Sequence, residues 1–183
     1  IIDILTHQAR LFPWIPFYKE TLDKEGNLIN TLYSDGLSDV YSLQVARDIY
    51  LNKVYLDTIF QQILNSQLLD QKEYKYSDLG FYLLKPIVES KISSNIEDYV
   101  FDNFYSEIDV FRITYNPLNK FLENLIVPTE DDNYFRNQVI RGYVHDQGAA
   151  LFGGIGLHAG LFSNAIDLMR LMQVYLDDGM GLD

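Results

Sequence analysis

Between residues 56 and 64 the apolar side chains Leu56, Ile59, Phe60, Ile63 and Leu64 recur at the spacing of one helical face, which predicts a helix ending near Asn65 or Ser66. A second stripe of Leu79, Tyr82, Leu83 and Ile87 predicts a helix from about Asp78 to Lys91. It should bend where Pro86 removes a backbone hydrogen bond. A third helix is expected from Asn95, a suitable N-cap with Glu97 and Asp98 in the first turn, carrying Tyr99, Val100 and Phe104. The last starts at Ser163 or Asn164 and gathers Ala165, Leu168, Met169, Met172, Tyr175 and Leu176 on one face. Gly179 is placed to end it in a left-handed conformation.

Elsewhere the pattern is irregular. Residues 2–11 allow a short helix, and the prolines of Pro13-Trp14-Ile15-Pro16-Phe17-Tyr18 force extended chain after it. Asp23-Lys24-Glu25-Gly26-Asn27 and Ser34-Asp35-Gly36 read as turns, with room for a small hairpin. The run from Thr114 to Phe162 holds Pro117, Pro128 and six glycines, and a structureless stretch of that length inside a domain is usually functional. The expected architecture is mainly α, with at most a few short strands.

The chain has 183 residues, 48% of them hydrophobic, which suits one domain with one core. Twenty-six acidic residues against fourteen basic ones give a formal charge of −12, which argues against nucleic acid and anionic membrane surfaces as partners. No apolar run approaches the roughly 18–20 residues of a membrane span. Cysteine is absent, so neither a disulfide nor a thiolate metal site can form. The opening Ile1-Ile2-Asp3-Ile4-Leu5 begins in mid-pattern, and Gly179-Met180-Gly181-Leu182-Asp183 stops without completing an element. Residues 1–183 are therefore expected to be a single partial domain, the interior piece of something longer.

Several residue groups carry candidate chemistry. Tyr76-Ser77-Asp78 lies just before the second helix, where backbone amides favour negative charge. A tyrosinate there is a candidate general base if a nearby cation lowers its pKa; the plain alternative is that Ser77 or Asp78 caps the helix over a packed Tyr76. The segment from Gly153 to Gly160 is dense in glycine and precedes a helix, but it lacks the lysine of a phosphate loop; its glycines suit the rim of a cleft. His7, His145 and His158 are too scattered to form a metal pair, so no metal or cofactor is expected. His145-Asp146 could be an oriented base or a structural loop pair, and Trp14 a sugar platform or part of a core.

Taken in order, Leu5-Thr6-His7-Gln8-Ala9, Tyr76-Ser77-Asp78-Leu79-Gly80 and His158-Ala159-Gly160-Leu161-Phe162-Ser163 followed by Asp167-Leu168 resemble the β-lactamase-related serine hydrolases, which include class C β-lactamases and penicillin-binding proteins. Pro13–Tyr18, Val127-Pro128-Thr129-Glu130 and the run from Gly142 to Ala149 resemble the β-lactamase-like domains attached to family 3 glycoside hydrolases in Bacteroidetes. The resemblance implies a helical subdomain that packs against a sheet subdomain, with an acyl-serine cleft between them. It implies Tyr76 as the catalytic base and Ser77 and Asp78 as substrate-binding neighbours, Asp78 standing where the family has asparagine. His158 and Gly160 join the substrate-binding candidates through their glycine-rich rim, although His158-Ala159-Gly160 precedes a helix and so does not match the family's late Lys-Thr-Gly strand.

No serine in the chain has lysine three residues on, so no nucleophile is present, and the Ser-x-x-Lys helix is expected upstream of Ile1. The resemblance thus implies an inactive fragment of an ester or amide hydrolase with a cell-wall-type substrate and a cell-envelope location. Its partners would be the missing parts of its own domain, and its uncovered apolar face could drive self-association. A rival reading makes the parent a non-catalytic peptidoglycan- or glycan-binding module; the exchange of asparagine for Asp78, which can only accept hydrogen bonds when ionised, leans that way.

Overall fold

In the computed structural model, which describes residues 1–179, the first helix α1 spans only Ile2–Leu5. It is shorter than the expected run to Leu11, and the chain turns at His7 and Arg10, both at positive φ. A 3-10 turn at Phe17–Thr21 follows the prolines. Strands β1 (Tyr33–Ser34), β2 (Tyr41–Ala46) and β3 (Ile49–Asn52) form an antiparallel sheet in the order β1-β3-β2, with Asp48 at φ 55° in the tight connection. Helix α2 (Tyr55–Asn65) buries Tyr55, Ile59 and Ile63, four residues apart, on the predicted face.

Helix α3 (Leu79–Ile92) continues through Pro86 and buries Leu79, Tyr82 and Leu84, while Ile87 lies exposed. Asn95 caps α4 (Ile96–Val100) as predicted, its side chain accepting from the Asp98 amide at 2.8 Å. The coil then widens to a π turn over Phe101–Tyr105 and tightens to a 3-10 turn at Ser106–Ile108. Strands β4 (Pro128–Asp132) and β5 (Gln138–Arg141) pair as an antiparallel hairpin, and the short α5 (Gln147–Leu151) is buried along most of its length. Helix α6 (Ala165–Leu176) ends as predicted, with Gly179 at φ 85° donating its amide to the Val174 carbonyl at 2.8 Å. The remaining residues of the expected unfinished terminal run, 180–183, lie outside the described residues.

The expectation of a mainly α chain is overturned. Among the described residues 39% are helical of any kind and 14% are strand, in two small sheets. The strands escaped the sequence pattern for physical reasons. They are two to six residues long, and register shifts in β2 break its alternation of inward and outward side chains. β4 is Pro-Thr-Glu-Asp-Asp, a composition depleted in strands, and is held by side-chain bonding instead.

On helix α6 the apolar residues Leu168, Met169, Met172, Tyr175 and Leu176 are exposed, whereas Asp167 is buried. The Asp167 carboxylate accepts from the amides of Phe111 (3.0 Å) and Arg112 (2.7 Å), and that docking sets which side of the helix faces in. Hydrophobic periodicity identified the helix, and the docking of Asp167 shows which side is held against the rest of the chain.

One core joins the three-stranded sheet, β5, α2, α3 and α5. Phe17, Ile59, Leu79, Tyr82, Phe135, Ile140 and Leu151 are all buried in it, with the Tyr82 ring edge-on to Phe17 and tilted against Phe152. At its edge lies a fully buried cation. The Arg136 Nε donates to Asp132 at 2.7 Å, Nη1 to the Val144 carbonyl at 2.7 Å, and Nη2 to the His145 carbonyl at 2.9 Å and to Glu130. The second oxygen of Asp132 accepts from the amides of Tyr134 and Phe135. Burial alone would push the Asp132 carboxyl up, but the guanidinium and these amides outweigh it and hold it below its ordinary value.

Removing one partner of such a pair leaves an uncompensated buried charge. Arg136→Ala is expected to lower unfolding stability by about 3–5 kcal/mol in urea titration, and Arg136→Lys should recover little, since an ammonium cannot reproduce the planar fork that reaches four acceptors.

Candidate active site

The loop before α3 is fixed from several sides. The Ser77 hydroxyl, buried, donates to the Phe12 carbonyl at 2.6 Å and accepts from the Leu79 amide at 3.3 Å, so it satisfies one of the free amides at the start of the helix. The Ser77 amide donates to His7 Nδ1 at 3.2 Å, and the Asp78 amide to the Pro13 carbonyl at 3.2 Å. The extended proline segment is therefore the rail on which Tyr76-Ser77-Asp78 is mounted. Asp78 makes no side-chain capping bond, which leaves its half-buried carboxylate without a cation within 4.0 Å among the described residues.

Tyr76 is 55% exposed, and its ring lies over His7 with 4.5 Å between centroids and 36° between planes. The Asp78 carboxylate, then burial, push its phenol above the ordinary value. A tyrosinate base needs the opposite influence, a nearby cation, whereas the carboxylates that act on this phenol, Asp78 and Asp146, both push it up.

One turn into α3, Tyr82 joins a second group. The Tyr82 hydroxyl lies 3.1 Å from His158 Nε2, which is 3.0 Å from Asp146 Oδ1; His158 Nδ1 is 2.9 Å from the Gly156 carbonyl. The His158 side chain is 4% exposed. Asp146 also caps α5, accepting from the Ala149 amide at 2.6 Å. Burial pushes the Asp146 carboxyl up, but His158 and the Ala149 amide outweigh it and bring it down. Burial pushes the His158 imidazole down, but Asp146 outweighs it and brings it up.

Glycines make this approach feasible. A Cβ on Gly148 would lie 1.9 Å from the Tyr82 hydroxyl, one on Gly156 2.6 Å from the His158 ring, and one on Gly160, at φ 123°, 2.1 Å from the Gly154 carbonyl oxygen. The cluster forms one wall of an open cleft of about 500 Å³, lined by Tyr115, Thr129, Asp146, His158, Gly160 and Phe162 among others.

The structure thus groups Ser77 and Asp78 at the amino end of α3 with Tyr76 beside them, and sets His158 and Gly160 on the cleft wall. Asp78 and Asp146 bear on both groups: Asp78 acts on Tyr82 and His158, and Asp146 acts on Tyr76. His158 has both nitrogens engaged within the protein, so it shapes the cleft from behind. Asp146 pairs with His158, twelve residues on, while its neighbour His145 is exposed and sits 3.7 Å from Glu130. Tyr82 passed in the sequence as a core aromatic; that it carries more shows only in three dimensions, where its hydroxyl lies against Gly148 and His158. Among the described residues no group of three or more His, Cys, Asp or Glu could hold a metal ion, and no helix is long and apolar enough to cross a membrane.

No protein-family model matches the chain. It is 32% identical over 98% of its length to N-acetylmuramyl-L-alanine amidase of Bacillus subtilis, of which it covers 38%. It is 37% identical over 57% of its length to a putative D-alanyl-D-alanine carboxypeptidase of Escherichia coli, of which it covers 27%, and 32% identical over 98% to a like-named protein of Salmonella gallinarum, of which it covers 39%. The chain therefore spans less than two fifths of these relatives. Among solved structures, a penicillin-binding protein from Bacillus halodurans superposes over 98% of this chain and 48% of its own, with a TM-score of 0.52 and 16% identity.

Two outcomes check the buried cluster. Gly148→Ala is expected to cost roughly 1–3 kcal/mol through overpacking against Tyr82, and Tyr82→Phe in the same protein should return part of that loss, so the two changes are non-additive in urea unfolding. The raised His158 contributes stability fully below its ordinary value near 6.5 and loses it as pH rises through the raised value. The lowered Asp146 contributes above its ordinary 3.8 and loses it as pH falls through the lowered value. The stability difference between wild type and His158→Gln should therefore peak between about pH 4 and 6.5 and shrink on the alkaline side, as measured by thermal unfolding.

Proposed function

We propose that this penicillin-binding-protein-like chain belongs to a peptidoglycan-acting hydrolase that cleaves an amide through an acyl-serine, and that it supplies the general base, Tyr76. The observation that carries the reading is the mounting of Tyr76-Ser77-Asp78 at the amino end of α3, with its backbone pinned and the Tyr76 ring presented to solvent. The relatives lend the substrate class, since an N-acetylmuramyl-L-alanine amidase and a D-alanyl-D-alanine carboxypeptidase both cleave an amide bond at an alanine.

The reading has a chemical requirement. A base needs a nucleophile, and the Ser-x-x-Lys that would provide one is not among these 183 residues, so both the serine and the lysine must come from sequence outside them. That lysine would also supply the cation that Tyr76 lacks, reversing the upward push of Asp78. Asp78 and Gly160 are the substrate-contacting positions in this reading, while Ser77, buried with its hydroxyl committed to the Phe12 carbonyl and the Leu79 amide, holds the loop that carries Tyr76 and Asp78. Asp78 can only accept when ionised, so it suits a substrate group that donates, such as an amine or hydroxyl. The tie to family 3 glycoside hydrolases rests on motif runs alone and has no counterpart among the named relatives.

A second reading, a peptidoglycan- or glycan-binding module without catalysis, is favoured by the phenol of Tyr76 being pushed up rather than down.

The deciding experiment is mass spectrometry of the protein carrying both this chain and a Ser-x-x-Lys segment, after incubation with a fluorophosphonate or penicillin probe. An acyl adduct is expected on that serine, formed on the order of 100-fold or more slowly in Tyr76→Phe. A folded protein that neither probe labels would instead favour the binding module.

A further inference from the structure

We propose that His158 is a positioning residue that works as an imidazolium, its charge fastening the Gly156–Phe162 wall of the cleft to Asp146 at the start of α5 and so holding in place the carboxylate that also acts on Tyr76. The inference rests on the proposed function only for what the cleft is used for; the protonation state follows from the geometry. Nδ1 faces the Gly156 carbonyl at 2.9 Å, and a carbonyl only accepts, so Nδ1 carries a proton. Nε2 faces the Asp146 carboxylate at 3.0 Å, which also only accepts. A neutral ring protonated at Nδ1 would turn the Nε2 lone pair toward that carboxylate in a buried site, where the repulsion is poorly screened. One protonated at Nε2 would set its Nδ1 lone pair against the carbonyl. Only the doubly protonated ring satisfies both acceptors, and the Tyr82 oxygen at 3.1 Å then shares the Nε2 proton.

The groups around the ring agree with a cation. From α3 come the Tyr82 hydroxyl and, farther off, the Asp78 carboxylate; from the start of α5 comes Asp146; from its own loop comes only the Gly156 carbonyl. The other titratable side chains lining this cleft are Tyr115 and His145. No lysine or arginine lines it. The wall that carries His158 has little else of its own: Leu157 sits at φ 60° and Gly160 at φ 123°, and its backbone ties are the Gly156–Ala159 bond and the Thr114–Phe162 bridge. Loss of the charge breaks its tie to Asp146 and frees that carboxylate, whose charge also acts on Tyr76, whereas the Tyr82 hydroxyl can then donate to Nε2 and keep the ring against α3.

The test is long-range proton–nitrogen NMR of this chain with labelled histidine from pH 5 to 9, the His158 signals being identified by their loss in His158→Gln. Both His158 nitrogens are expected to be protonated at pH 7. A single deprotonation above that should coincide with shifts in the amides of Leu157–Phe162 and of Tyr76. Tyr76 also stacks on His7, so only the part of its shift that disappears in His158→Gln belongs to His158. Asp146→Asn should leave His158 neutral at pH 7, and the wild-type titration remains decisive even if that variant does not fold. A neutral His158 at pH 7, or a titration that leaves Tyr76 unmoved, overturns the proposal. Failure of acyl probes to label the longer protein at any pH would sink the hydrolase reading while leaving this measurement intact.

Discussion

The buried guanidinium of Arg136 is the constraint on which the second half of the chain depends. With no exposed surface it reaches two carboxylates and two carbonyls, and each contact holds a different piece: Asp132 ends β4, Glu130 lies within it, and the carbonyls of Val144 and His145 lead directly to Asp146. A strand made of Pro-Thr-Glu-Asp-Asp has no apolar reason to form. Here the acids of the strand are the ligands of the cation, and the hairpin exists because they converge on it.

The same anchoring decides what Asp146 can do. Once Val144 and His145 are held by their carbonyls, the next side chain is delivered to the start of α5 and to His158, beneath Tyr82. Tyr82 in turn belongs to the helix whose amino end carries Tyr76 and Asp78. Two acidic groups, Asp78 and Asp146, therefore act on one small region, and each lies near a histidine: His7 stacks on the Tyr76 ring beside Asp78, and His158 pairs with Asp146.

How much of this was legible in the sequence varies with the kind of force involved. Helices α2, α3 and α4 and the start of α6 were readable because their caps and apolar stripes are local, as with Asn95 over Asp98 and Ile59 over Ile63. The inward face of α6 was not readable, because it is chosen by Asp167 bonding amides more than fifty residues earlier. The sheets were missed where polar side chains or bulges replaced alternation. At the site, Tyr76-Ser77-Asp78 could be found from its position before a helix, whereas the pairing of Asp146 with His158, instead of His145 with Asp146, depends on a turn of glycines whose close approaches exist only in three dimensions.

The separation in sequence of the contacts on the two sides of the cleft has a kinetic meaning. The Arg136 contacts span four, six, eight and nine residues, while those that pin Ser77 to Phe12 and His7 span 65 and 70. Closing the longer loops costs roughly 2 kcal/mol more in chain entropy than closing the shorter ones. The Arg136 side can assemble almost by itself, from a stretch of chain no longer than a hairpin. The mount of Tyr76 has to wait for the amino-terminal segment to return, which makes it the late-forming part of the cleft and the first to come undone when the native state opens.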